Sequence, residues 1–291
     1  MKNLLRLSRP LHLLLAALTY FLGASIANYL GKPFRSDSFW FGLIAALLAQ
    51  ASMNLLAEVF RPANEPILEE QETRKDRLTL RNNALYVSLA ALSADAVIAF
   101  LLYTNNHLPV AAFLFLLLSL ILVLTYSIPP FRFINRGFGE FILAAQLAYV
   151  FPSIGYILQS DETHRFLFVA LPLTFLALAY FVVMDFPAFA ADVKYNRSTL
   201  LTSLGWERVV PLHHLFILFA YLSFFAAPIF GISLSLLWPA FLTLPFALFQ
   251  IFQLRNIALG APPNWKLLTV TALSVFGLTV YFLSVSFFWL H

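Results

Sequence analysis

Nine long apolar stretches, almost free of charge, set what this chain can fold into. A helix needs about 20 mostly apolar residues to cross the hydrocarbon layer of a bilayer. Stretches of that kind lie at 11–30, 38–57, 84–103, 108–125, 138–158, 165–184, 208–228, 232–254 and 266–290. They are continuous rather than alternating, which argues against barrel strands. Only 11% of the residues are charged, against about 25% in a soluble domain. The expected fold class is therefore all-α integral membrane, with nine transmembrane helices in one domain, 1–291. Pro152, Pro172, Pro239 and Pro245 fall inside spans, where neighbouring helices re-satisfy the backbone and kinks are expected.

Lys and Arg give the orientation. Only Lys32, Arg35 and Arg165 fall on one face; the remaining fifteen of 18 lie at the N-terminus or in loops of the other face. Basic loops stay inside, so the N-terminus is expected to be cytoplasmic and the membrane to be the inner cell membrane. The net charge of +4 then reports topology, and a nucleic-acid partner is not expected. The first apolar run is long enough to span and no clear cleavage site follows it, so no cleavable signal is expected. There are no cysteines, which excludes thiolate chemistry. His213 and His214 are adjacent and point about 100° apart on a helix, a poor spacing for a shared metal.

The longest loops, about 58–83 and 185–207, both lie on the basic face and hold most of the acids. Glu58 and Asp185 are about four spans apart, which predicts pseudo-symmetric halves, approximately 1–126 and 127–254, plus a ninth helix, 266–290. The segment from Glu65 to Arg81 mixes Glu69, Glu70 and Glu72 with bases; it reads as a surface helix or as a cap over a cytoplasmic cavity. Acids from two loops near the membrane boundary, with bases beside them, suit a diphosphate bridged by Mg²⁺, which takes oxygen ligands from one or two carboxylates and the phosphates. Asp95 lies deep in the third span, where a carboxyl usually faces a cavity or a partner; a neutral, hydrogen-bonded acid is expected there.

Several segments in order resemble the UbiA-type superfamily of membrane prenyltransferases. Arg9–Pro10 is similar to its opening Arg-Pro. Asn54 and Glu58 through Glu65 fall at its first Asp-rich motif, and Asp185 through Asp192 at its second. Tyr126–Ser127–Ile128–Pro129–Pro130–Phe131–Arg132 and Thr199 through Gly205 match its intervening and following motifs. Arg136–Gly137–Phe138–Gly139–Glu140 resembles a segment common in the branch acting on dihydroxynaphthoate. The resemblance implies a helical bundle around a central cavity and transfer of a polyprenyl group from its diphosphate to an aromatic or other lipid-pathway acceptor. By the same resemblance, Glu58, Glu65, Asp185 and Asp192 would hold Mg²⁺. Arg61, Arg132, Arg136, Lys194 and Arg197 would contact diphosphate. Asn54 and Tyr126 would orient substrate, and Asp185 would also serve catalysis.

The chain departs from both motifs. Ala57, Glu58, Arg61 and Glu65 replace Asn, Asp, Asp and Asp in the first; Ala188 replaces the central Asp of the second. The outer acids are seven apart in each, about 10.5 Å along a helix, too far for one Mg²⁺ with bonds of about 2.1 Å. Pro62 and Pro187 also speak against unbroken helix there. Two metals shared between the motifs, bases holding the anion with fewer metals, or loss of catalysis with the cavity kept all remain open. A non-catalytic isoprenoid- or lipid-binding homologue and a small-solute transporter are the alternative functions.

Overall fold

The computed structural model describes residues 2–67 and 74–289. Among these, nine helices are long and apolar enough to cross a membrane: α1 Pro10–Tyr29, α2 Ser36–Val59, α3 Lys75–Thr104, α4 Val110–Ser127, α5 Gly139–Ser160, α6 Leu167–Lys194, α7 Trp206–Phe230, α8 Leu234–Ala258 and α9 Trp265–Trp289. A short helix, Lys2–Leu7, precedes them. No strand occurs among the described residues; one isolated bridge joins Arg136 and Ser198. Glu69, Glu70 and Glu72 lie outside the described residues.

Two helices outrun their apolar spans. α3 starts at Lys75, because no Gly or Pro interrupts the polar turns before the lipid-facing part. α6 continues to Lys194, but not as regular helix. Pro187 has no N–H to give, and Phe186–Ala188 tightens into a 3-10 turn before Phe189–Lys194 resumes the α-helix. Two other irregularities lie near expected prolines: the π-turn Gln146–Val150 runs up to Pro152, and the 3-10 segment Trp238–Thr243 contains Pro239; the π-turn Ser274–Leu278 in α9 contains none, and Pro172 and Pro245 sit in α-helix. α2 stops at Val59, three residues before Pro62, so Glu58 is helical and Glu65 is not.

The placement of the site depends on how closely α1 approaches α5. α1 packs along α5 and α9. A Cβ on Gly23 would lie 1.9 Å from the Pro152 carbonyl oxygen, and one on Gly155 would lie 2.2 Å from the Tyr20 carbonyl oxygen. Two glycines thus let the backbones touch, as small residues do where apolar side chains gain nothing by leaving lipid. Gly155→Leu is expected to destabilise the bundle by about 3 kcal/mol or more, the upper end for overpacked cores. Thermal unfolding in detergent, followed by size-exclusion chromatography, would measure it; an unchanged midpoint would remove this seam as a determinant of the fold.

Candidate active site

At the bundle end where α1 begins and α2, α4 and α6 finish, a cavity of about 350 Å³ opens between helices. Its deeper wall is apolar and aromatic: Leu11, Tyr126, Leu143, Tyr180, Phe181 and Met184, with His12 edge-on to Phe181 at 5.4 Å. Its mouth is ionic. Arg9, Glu140, Asp185, Asp192 and Arg197 all line it.

One side of the mouth is a network of guanidinium groups and carboxylates. Arg61 reaches Glu58 at 2.5 Å and Glu65 at 3.2 Å. Arg9, held at left-handed φ of 52° just before α1, reaches Glu58 at 3.3 Å. Arg197 lies 3.7 Å from Glu65 and 3.5 Å from Asp192. Glu58, Glu65 and Asp192 are each buried. Bare carboxylates at such depth are unfavourable, and the paired guanidinium groups account for their tolerance.

The other side lacks that compensation. Asp185, where α6 breaks, and Glu140, in the first turn of α5, both line the cavity where these two helices pack together. The Leu200 backbone N–H donates to Glu140 Oε1 at 2.8 Å, but Glu140 Oε2 and Asp185 Oδ2 are buried without a partner. Neither forms an ion pair among the described residues. The loops behind them are tied together: Gly137 N–H donates to Ser198 O at 2.7 Å, beside the Arg136–Ser198 bridge, and a reciprocal Thr199–Thr202 cap starts the next helical turn.

A family model of the UbiA prenyltransferase family matches residues 16–266. The chain belongs to the UbiA prenyltransferase family. Solved structures agree on the fold. A UbiA homologue from Archaeoglobus fulgidus bound to DMAPP and Mg²⁺ is 16% identical, with a TM-score of 0.69, over 97% of this chain and 99% of that one. A digeranylgeranylglyceryl phosphate synthase is 13% identical, with a TM-score of 0.64, over 99% and 98%. An apo UbiA homologue from Aeropyrum pernix K1 is 12% identical, with a TM-score of 0.54, over 94% and 96%. Comparison with curated protein sequences returned no significant match. With family and helices agreeing, this is an integral membrane protein.

Within this UbiA fold, the expected site residues divide. Tyr126, Asp185, Asp192 and Arg197 line the cavity. Glu58, Glu65 and Arg61 form the network beside it. Asn54 does not reach it. Its amide nitrogen donates to Ser8 O at 2.8 Å and its oxygen accepts from Gln50 at 3.2 Å, so it braces the segment that carries Arg9. Arg132, at left-handed φ of 40°, does not line the cavity, and its Nε is buried without a partner. Arg136 is exposed and donates to Pro130 O at 2.7 Å; Lys194 is exposed and sits 5.1 Å from the Tyr195 ring.

Elsewhere in the UbiA bundle, Asp95 lines a separate apolar cavity of about 300 Å³ beside Ser119 and Ala49. The expected hydrogen-bonding neighbour is absent among the described residues, for Asp95 Oδ1 is buried without a partner. The His213 and His214 rings meet edge to face at 5.6 Å, and no group of three or more metal-ligating side chains occurs among the described residues. Arg9, Glu140, His12 and Tyr180 are cavity residues to which sequence reading assigned no role. Glu140 carried a signal, being the one acid in the opening of the fifth apolar stretch.

Proposed function

We propose that this UbiA-family chain is an intramembrane prenyltransferase, moving a polyprenyl group from its diphosphate to an aromatic or quinone-precursor acceptor, dependent on Mg²⁺. The observation that carries this reading is one pocket with cations and unpaired carboxylates at its mouth and aromatic rings deeper in. The A. fulgidus neighbour bound to DMAPP and Mg²⁺ supports it by similarity of fold. The mouth would face the cytoplasm, in line with the basic loops. Charges gather at one bundle end rather than at the midplane, which counts against a solute transporter.

Arg9 and Arg197 line the mouth and would contact the phosphate oxygens, with Arg61 behind them. Asp185 and Glu140, the carboxylates with unengaged oxygens, would hold Mg²⁺, which takes one or two carboxylates plus phosphate oxygens and waters. When bound, Mg²⁺ supplies positive charge for the departing diphosphate. The bond from the prenyl C1 to the diphosphate oxygen breaks, and its electron pair leaves with the diphosphate. Tyr126 and Tyr180 line the pocket where the allylic cation forms, and aromatic rings attract cations. The acceptor ring then supplies the electron pair for the new C–C bond and loses a proton.

The test is direct. Membranes carrying the protein should transfer a labelled prenyl group from a prenyl diphosphate to aromatic acceptors, and chelation of divalent cations should stop the transfer. Binding of prenyl diphosphate without turnover on any acceptor would point instead to the non-catalytic homologue. Arg136→Ala and Lys194→Ala, both exposed, should change turnover by less than about threefold, the range of surface substitutions.

A further inference from the structure

The geometry points to a site that takes one divalent cation, with Glu140 as a ligand, while a guanidinium cluster replaces a second cation. This rests on the diphosphate reading above and specifies how that anion is held. Glu58, Glu65 and Asp192 are already neutralised, by Arg9, Arg61 and Arg197 at 2.5–3.7 Å. A metal binding any of them would have to displace a half-buried arginine from a buried carboxylate.

Among the described carboxylates, only Glu140 and Asp185 line the cavity and keep a buried oxygen without a partner. Glu140 is 5% exposed, its Oε2 is buried without a partner, and it lines the same cavity as Asp185. Two ionised carboxylates lining one cavity with no cation repel one another; a divalent ion held by both removes that repulsion and satisfies both oxygens. Two carboxylates with phosphate oxygens and water complete a six-oxygen shell. Across the mouth, Arg61 sits between Glu58 and Glu65. Three guanidinium groups balance three carboxylates on this side, so no second divalent cation is needed to neutralise Glu58, Glu65 and Asp192.

Purified full-length protein in detergent is titrated with Mn²⁺ in the presence of a non-hydrolysable prenyl diphosphate analogue, and bound Mn²⁺ is counted by electron paramagnetic resonance. One Mn²⁺ per chain is expected. Glu140→Gln keeps the oxygen that accepts from Leu200 N–H, so the fold is retained, and it should weaken Mn²⁺ binding at least ~10-fold. Glu65→Gln, on the arginine side, should leave the Mn²⁺ count and affinity unchanged. Two Mn²⁺ per chain, or full affinity in Glu140→Gln, would overturn the inference and leave the prenyltransferase reading standing. Failure of the analogue to bind, with or without Mn²⁺, would overturn both.

Discussion

Asp185→Asn is expected to reduce prenyl transfer at least ~100-fold, the scale of losing one group that stabilises charge in a transition state. The substitution keeps the shape of the side chain and removes the charge. Asp185 lines the cavity, keeps a buried oxygen without a partner, and forms no ion pair among the described residues, so it has little structural work to lose. The loss should therefore appear in kcat while the unfolding midpoint holds or rises, because one of two carboxylates lining the same cavity without an ion-pair partner has gone. Steady-state transfer assays beside thermal unfolding would separate the two. Turnover within threefold of the parent protein would remove Asp185 from the reaction.

Arg61→Ala should act on the fold as much as on the chemistry. It strips the closest cation from Glu58 and Glu65, whose side chains are 4% and 7% exposed. Breaking a buried ion pair from one side destabilises by about 3–5 kcal/mol. Arg9 and Arg197 remain as weaker partners, so the lower end is expected, a fall of roughly 5–10 °C in a chain of this size. Adding Glu65→Gln should recover part of that stability, because the uncompensated charge has been removed. A double variant no more stable than Arg61→Ala would show that the arginine acts by something other than pairing. Transfer should fall in both variants and should not recover with the stability.

The membrane fold was open to reading because apolar length is written locally in the chain. Helix ends were less so: polar turns before α3 and the turn at Pro187 in α6 are set by backbone continuity, not hydropathy. The site was half legible. Spacing marked Asp185 and Asp192, but a polar loop was one expectation for Asp192; it lies in the short helix Phe189–Lys194 and is 4% exposed. On unbroken helix the seven-residue spacing would put the outer acids on one face, but Pro62 and Pro187 speak against that, and a 3-10 turn divides one pair and a helix end the other. Glu140 could not be assigned a partner in advance. Its neighbour, Asp185, and its donor, Leu200, come from distant segments that meet only through packing. Asn54 misled for the reverse reason: its motif position suggested chemistry, while its amide is spent on Ser8 and Gln50.

The Gly137–Ser198 backbone pair fastens the strip carrying Glu140 to the strip carrying Asp192 and Arg197. Their spacing is consequently fixed before any guest arrives, and little ordering entropy is left to lose on binding.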